Sequence, residues 1–381
     1  MKKKVLIVAS MILMALTVSG CMKKENPVST DSSQNQTTKS AETEVTGAGD
    51  SLDETKTLVI THGAYPQTLD IQNQSDAFSS RPASMVFEKL MKMDKDGNFQ
   101  GVLAESWEYE DDTHLVFHLR EGVKFHNGDP MTAEDVKWSL IRAVNSAHVS
   151  SKASFINQDD ITIIDDHTIK VGYLYPNASA YAAFSNVGLS ILPSKLYANA
   201  DTADISKNPI GTGPYKYVDC VNGEKVTFVR NEDYWGEKAH IKNLIWKTIT
   251  ENANRTIELE TGGAHFSYDV PTTDIDRIES DDKLTLLMGP NFTIQYVCYN
   301  TQKAPLNDVK VRKALGMAVD KEAIKIAAYN GLGKVGVGPM VSTTQYATED
   351  LDVAPFDLDA AKALLAEAGY PDGFEIKIYT N

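Results

Sequence analysis

The sequence predicts an α/β protein with two lobes. From Thr57 onward, short runs rich in β-branched and aromatic residues alternate with stretches whose apolar residues recur at helical spacing, and no segment repeats. A length of 381 residues allows two or three domains at ~150 residues each. The balance of 42% hydrophobic and 23% charged residues is that of a globular chain, not a disordered or fibrous one.

The first element is an export signal. Lys2, Lys3 and Lys4 precede an apolar run over residues 5–18, and Ser19 and Gly20 place small residues before Cys21. This pattern describes a secretory signal peptide over residues 1–20, shorter than the ~20 apolar residues that a membrane span needs. Its end resembles the lipobox of bacterial lipoproteins. That resemblance implies that Cys21 is diacylated on its thiol and becomes the mature N-terminus; two acyl chains suffice for stable attachment to a lipid bilayer. Cleavage after Gly20 removes three lysines and no acidic residue, so the mature chain is more negative than the −15 of the whole.

Residues 21–54 read as a lipidated flexible leash. From Met22 to Glu54 there is no aromatic residue and a single proline, Pro27, so the segment cannot bury enough apolar surface to offset its ordering entropy. As a coil it would reach roughly 30 Å.

Beyond the leash, residues 57–61, 115–120, 168–173, 225–230, 292–299 and 374–379 read as strands. Asn222-Gly223 between two such runs signals a hairpin, because this pair tolerates the positive φ angles of a type I′ turn. Thr132 is placed to cap a helix whose apolar face holds Val136, Leu140 and Ala143. Asp308 opens a helix that aligns Val311, Ala314, Leu315 and Ala318, and Asp320 caps the next, which ends at Gly331. A last helix over residues 358–368 closes at Gly369 and Pro371. Phe374, Ile376 and Ile378 then alternate with Glu375, Lys377 and Tyr379, as in a half-buried strand that needs neighbours for its backbone groups. With no turn or cap after it, the sequence reads as stopping inside a domain.

The chain is acidic, with 37 Lys and Arg against 52 Asp and Glu, which argues against a nucleic-acid partner, because phosphate recognition needs a basic surface. No nucleophile elbow, Walker A loop, His-Glu-x-x-His or Gly-x-Gly-x-x-Gly occurs. Gly211-Thr212-Gly213-Pro214 is too short to cradle a phosphate and reads as a turn into a strand at Tyr215. His114, His118 and His126 raise the question of a metal. On one strand, however, His114 and His118 lie ~13 Å apart, too far to share an ion, and a solvated strand face accounts for them. Asp111-Asp112, Asp159-Asp160, Asp165-Asp166 and Asp281-Asp282 fall in turn-like contexts and nominate no acid–base pair. Cys220 and Cys298 read as small buried hydrophobes. With Cys21 they suit neither a disulfide scaffold nor a zinc site. No catalytic residue, metal or cofactor is expected. A secreted hydrolase would need a nucleophile or metal set, and a structural surface lipoprotein would favour repeats.

What the sequence does hold is an ordered series of segments. They include Leu103-Ala104-Glu105-Ser106-Trp107, Val116-Phe117-His118-Leu119-Arg120, Val123-Lys124-Phe125-His126-Asn127-Gly128 and Ala133-Glu134-Asp135-Val136. Further along come Asn208-Pro209-Ile210-Gly211-Thr212-Gly213-Pro214-Tyr215, Asn231-Glu232-Asp233-Tyr234-Trp235-Gly236, the run from Asn307 to Leu315 with Asp320, and Gly369-Tyr370-Pro371-Asp372-Gly373-Phe374. Together these are similar to solute-binding protein family 5, the extracytoplasmic receptors of peptide and nickel ABC importers. The resemblance covers residues 57–381.

This resemblance implies a periplasmic-binding-protein-like type II fold, two hinged lobes with an extra domain inserted in the first. The first lobe would comprise residues 55–88 and 173–295, the insert 89–172, and residues 296–381 the start of a second, incomplete lobe. It implies a binding protein and not an enzyme, a monomer held at the outer face of the cytoplasmic membrane. Its partners would be a peptide ligand and an ABC permease and ATPase complex; nickel chelate, haem or an oligosaccharide are the other ligands of the family. Residues that hold ligand termini in the family lie largely beyond Asn381 and are not carried over. Position nominates contacts instead. Ala64, Tyr65 and Gln67 follow the first strand, where an open α/β sheet places its ligands. Tyr296, Tyr299 and Asn300 end the strand into the second lobe, where tyrosines either offer an apolar ring with a polar edge to a ligand or pack the hinge. Trp107, Phe117, Trp138 and Trp235 read as core.

Overall fold

A computed structural model describes residues 52–94, 96–289, 293–342, 344, 347–351 and 353–379. The signal peptide, Cys21 and nearly all of the leash lie outside the described residues. The strands are β1 (Asp53–His62), β2 (Met91–Met93), β3 (Phe99–Gly101), β4 (Ala104–Asp111), β5 (His114–Leu119), β6 (Ile156–Asp165), β7 (Thr168–Tyr173), β8 (Tyr215–Val221), β9 (Lys225–Arg230), β10 (Ile241–Thr248) and β11 (Phe266–Ser267).

β1 lies inside a five-stranded sheet of order β11-β1-β10-β9-β8. It runs parallel to both neighbours, pairing Thr57 with Asn243 through His62 with Thr248 on one side and Ile60 with Phe266 on the other. β10, β9 and β8 alternate in direction. In β9 the period of two is literal: Val226, Phe228 and Arg230 are buried while the residues between are half-buried. The buried Arg230 is tolerated because Glu54, Glu232 and the carbonyls of Ala239 and His240 satisfy its guanidinium. The β8–β9 hairpin forms as expected, closed by the Glu224 N–H donating to the Val221 carbonyl at 2.9 Å. Only Gly223 takes a positive φ, +75°, so the turn is not type I′.

A second sheet of order β4-β5-β7-β6 is antiparallel throughout. The helix Ala133–Val144 packs against it, with Val136, Leu140 and Ala143 buried. Its first turn is fixed by Asp135, whose Oδ2 accepts the Thr132 N–H at 2.9 Å. Two core clusters result. One gathers buried residues from Leu90 to Ile191, continuing past Gly172 through Tyr173, Ala180, Phe184 and Leu189. The other joins Leu69, Ile71, Val86 and Phe87 to Leu192, Phe228, Leu244 and Trp246. Phe117 is fully buried, and Trp107, Trp235 and Trp138 pack half-buried against these cores.

Between the clusters sits the buried Glu88. Its carboxylate accepts hydrogen bonds from Thr212 Oγ1 at 2.8 Å, Tyr234 OH at 2.7 Å and Trp235 Nε1 at 2.8 Å. Burial pushes its pKa up, and those three donors oppose the shift. The Gly211-Thr212-Gly213-Pro214 turn does lead into β8, and its glycines are steric: a Cβ on Gly211 would lie 2.1 Å from the Val86 carbonyl oxygen.

The C-terminal segment contains the helices Val309–Met317, Lys321–Tyr329 and Leu358–Glu367, each capped by the aspartate before it. The second ends at Tyr329, two residues before Gly331, and Asn330 caps it with φ +52°. Val311 and Ala314 are buried as expected, but Ala318 is exposed. The strands expected at 292–299 and 374–379 do not form among the described residues; Tyr296, Ile378 and Tyr379 are 73%, 74% and 88% exposed. Alternation alone makes no strand where no neighbour accepts its hydrogen bonds. Cys220 and Cys298 are also exposed, not buried. Cys220 lies where β8 runs out to the hairpin and consecutive residues on both faces are open, and Cys298 lies in the segment without a strand. No helix among the described residues is long and apolar enough to cross a membrane.

Candidate ligand-binding site

Three parallel strands, β1, β10 and β11, end together, and their carboxyl ends form the edge where open α/β sheets receive ligands. At its base lie the buried side chains of His62 and Trp246, ring centroids 5.3 Å apart, and the buried Arg255. Arg255 is spent on structure: Nη1 donates to the carbonyl of Ile249 at 2.8 Å, and Nη2 to Asn252 Oδ1 and to the Asp269 carbonyl at 2.9 Å. Burial, with Arg81 adding like charge, lowers the His62 pKa to about 4, so the ring is neutral at neutral pH. Three buried atoms here, His62 Nδ1, Trp246 Nε1 and Arg255 Nε, have no protein hydrogen-bond partner.

Above this base, Tyr268 stacks on Trp246 with an interplanar angle of 10°, and the Arg81 guanidinium lies 4.0 Å over the Tyr268 ring. Arg81 Nη1 pairs with Asp269 Oδ2 at 3.3 Å. Asp269 holds a φ of +60°, a conformation that a non-glycine residue adopts only when its surroundings enforce it.

The residues nominated by position are placed as follows. Ala64 and Tyr65 are half-buried directly after β1, and Tyr65 packs against the Trp246 core. The 64–67 loop therefore crosses the same end of the sheet. Gln67 is exposed, and its N–H donates to Ser79 Oγ at 3.1 Å. Tyr296 and Asn300 are exposed, the Asn300 carboxamide accepting the Gln302 N–H at 3.1 Å, and Tyr299 is half-buried with its pKa raised by burial. Among the described residues no hydrogen bond or ring contact joins the two groups. The C-terminal segment reaches this edge through Asn330 instead, whose Nδ2 donates to the Thr272 carbonyl at 3.3 Å. Arg81, Trp246, Arg255, Tyr268 and Asp269 were not foreseen; they meet only through sheet order, and the one local signal was the Tyr-Asp-Val-Pro turn after β11.

The acidic pairs were expected not to converge, yet Asp111 and Asp160 both meet His114. Its Nδ1 lies 2.9 Å from Asp111 and its Nε2 3.0 Å from Asp160 Oδ2, and both contacts raise the His114 pKa. Gly172 makes this possible: a Cβ there would sit 2.5 Å from Asp160 Oδ2, so only glycine lets the carboxylate reach across β7. Glu110, Asp111 and His114 place ligand-type atoms within 4.8 Å of one another, but Lys170 already pairs with Glu110 at 2.9 Å and both ring nitrogens are engaged. His118 stands apart from that group, 3.7 Å from Glu108, and His126 is turned to the Gly213 carbonyl. An open hollow of about 210 Å³ beside Val319, Val353, Pro355 and Phe356 is mainly apolar, and its polar lining comes from cap and first-turn residues of one helix.

Residues 98–381 match a family described as bacterial extracellular solute-binding proteins, family 5 Middle. Heme-binding protein A of Haemophilus influenzae is 30% identical over 318 residues, spanning 77% of this chain and 58% of that protein. The glutathione-binding protein GsiB of Pectobacterium atrosepticum is 30% identical over 335 residues, spanning 86% of this chain and 64% of its own length. The chain thus spans less than two thirds of these curated relatives. The periplasmic binding protein DppA of Helicobacter pylori, solved with the peptide STSA, superposes with a TM-score of 0.72 at 26% identity over 84% of this chain and 67% of that one. A dipeptide-binding protein from Pseudoalteromonas sp. SM9913 in complex with Met-Leu superposes at 0.76 with 23% identity, over 84% and 68%, a likeness of fold. The fold class is therefore α/β of the type II periplasmic-binding-protein kind.

Proposed function

The chain belongs to the bacterial extracellular solute-binding proteins of family 5, and from that premise we propose that it captures oligo- or dipeptides for an ABC importer. The match over residues 98–381 carries this reading. Relatives named for di- and tripeptides and for glutathione support peptide-like ligands, and the name of the heme-binding relative keeps haem in the test panel. Capture needs no chemistry. A ligand that touches both lobes stabilises the closed arrangement over the open one, and the permease reads occupancy from closure. The first lobe then comprises residues 55–88 and 173–295, the insert 89–172 and the second lobe 296 onward. Ala64, Tyr65 and Gln67 would meet the ligand from the first lobe, and Tyr296, Tyr299 and Asn300 from the hinge. Export, acylation of Cys21 and a leash over residues 21–54 would hold this monomeric receptor at the outer face of the membrane beside its permease and ATPase.

Calorimetric titration of the purified chain with dipeptides, tripeptides, glutathione and haem tests the reading. Saturable binding of a peptide recovered intact is expected. Hydrolysis of the peptide, or binding of haem alone, would contradict it.

A further inference from the structure

We propose that Arg81 and Asp269 form a subsite for an α-amino-acid head group, a ligand moiety with its ammonium and carboxylate on one carbon. The inference rests on the peptide-capture reading and names the chemistry that the first-lobe edge would select.

Availability separates Arg81 from Arg142, Arg230 and Arg255. Arg142 grips Asp70 with both terminal nitrogens and also bonds Gln72, Arg230 is fully enclosed, and Arg255 is committed to carbonyls. Arg81 makes one side-chain hydrogen bond among the described residues, to Asp269, and the Asp269 carboxylate accepts no other. Their side chains are 28% and 49% exposed. Arg81 keeps further N–H donors for a carboxylate, which a guanidinium can grip in bidentate fashion.

The pair is also held in place. The Arg81 guanidinium rests 4.0 Å over Tyr268, which stacks on the buried Trp246. The Asp269 backbone is kept in the left-handed region by the buried Arg255, which donates to its carbonyl at 2.9 Å. Asn330, the other non-glycine residue with positive φ among the described residues, brings the C-terminal segment to Thr272, three residues from Asp269. Beneath lie the unpartnered His62 Nδ1, Trp246 Nε1 and Arg255 Nε.

Geometry then picks the ligand. Arg81 and Asp269 touch directly, with nitrogen and oxygen 3.3 Å apart. A ligand ammonium placed on Asp269 and a carboxylate on Arg81 must likewise be close neighbours, as they are on a single carbon. The two termini of an ordinary α-peptide are at least one residue, about 3.3–3.6 Å, further apart. Nearby charge is already balanced: Asp76 caps a helix through the Ser79 N–H at 2.8 Å, and Arg255 adds one cation. A zwitterionic head thus exchanges one internal ion pair for two intermolecular ones with no net charge introduced.

The test compares two isomers of equal charge and composition on the full chain, γ-glutamylalanine, which keeps a free α-amino-acid head, and α-glutamylalanine, which does not. Calorimetry should show at least tenfold tighter binding of the γ-linked isomer, and Asp269→Asn or Arg81→Gln should bring the two affinities within about twofold. The isomer comparison on the unaltered protein needs no variant to fold. Equal affinities, a preference that survives both substitutions, or binding of other peptides but neither isomer would overturn the subsite and leave peptide capture intact. Failure of every peptide overturns both.

Discussion

Gly211 shows how a single missing side chain can be structural. A methyl group there would meet the Val86 carbonyl oxygen at 2.1 Å, and one on Gly213 the Met85 carbonyl at 2.5 Å. Gly211→Ala should cost about 1–3 kcal/mol, typical of overpacking, whereas Gly316→Ala, inside a helix with nothing within 4 Å, should stabilise by roughly 0.5–1 kcal/mol. Thermal unfolding of the two variants checks the contrast. His114 sets a pH dependence of known sign. Its pKa is raised above 6.5 by Asp111 and Asp160, so its stabilisation is full below about pH 6.5 and is lost as pH rises through the raised value. His62 and His126, both lowered to about 4 by burial, act in the opposite sense, with stability present above about pH 6.5 and lost as pH falls toward 4. The melting-temperature deficit of His114→Gln should therefore be largest at mildly acid pH and shrink as pH rises; a deficit that grows with pH would contradict the clamp. The sequence showed His114 but not its partner Asp160, which reaches it only across Gly172.

At the scale of elements, helices were legible because their signals are local. Asp308 and Asp320 cap where the sequence places them, since a cap acts on backbone groups two or three residues away, and Thr132 holds the expected N-cap position with the Asp135 carboxylate closing the turn. Asp135 does more than close a turn. Its Oδ2 holds the Thr132 N–H, and its Oδ1 accepts the Ser194 N–H at 2.8 Å and Oγ at 2.7 Å, joining the helix to the start of the short helix Ser194–Tyr197. Asp135→Ala should cost about 2–4 kcal/mol, against about 1 kcal/mol for Thr132→Ala, as read by denaturant unfolding. Equal costs would reduce Asp135 to a cap. Strands were less legible. β7 and β9 match their sequence runs, being enclosed by neighbours, while residues 374–379 show the same alternation and remain unpaired. Period two describes a surface and does not supply the partner.

For the whole molecule, the parallel pairing of β1 with β10 bridges a long excursion and creates the candidate edge. Ala64, Tyr65 and Gln67 could be nominated because they follow β1 in sequence. Arg81, Trp246, Tyr268 and Asp269 come from separate segments, and nothing local announces that they meet. Tyr296, Tyr299 and Asn300 rested on a strand that does not form among the described residues, so their nomination now rests on proximity in sequence to the C-terminal segment alone. The central claim, that a peptide-like ligand seats at the carboxyl ends of β1 and β11, is tested most directly by amide hydrogen exchange with and without saturating peptide. Protection centred on residues 62–67 and 266–272 is the expected result. Unchanged exchange there, with protection confined to the 89–172 region or absent throughout, would contradict it.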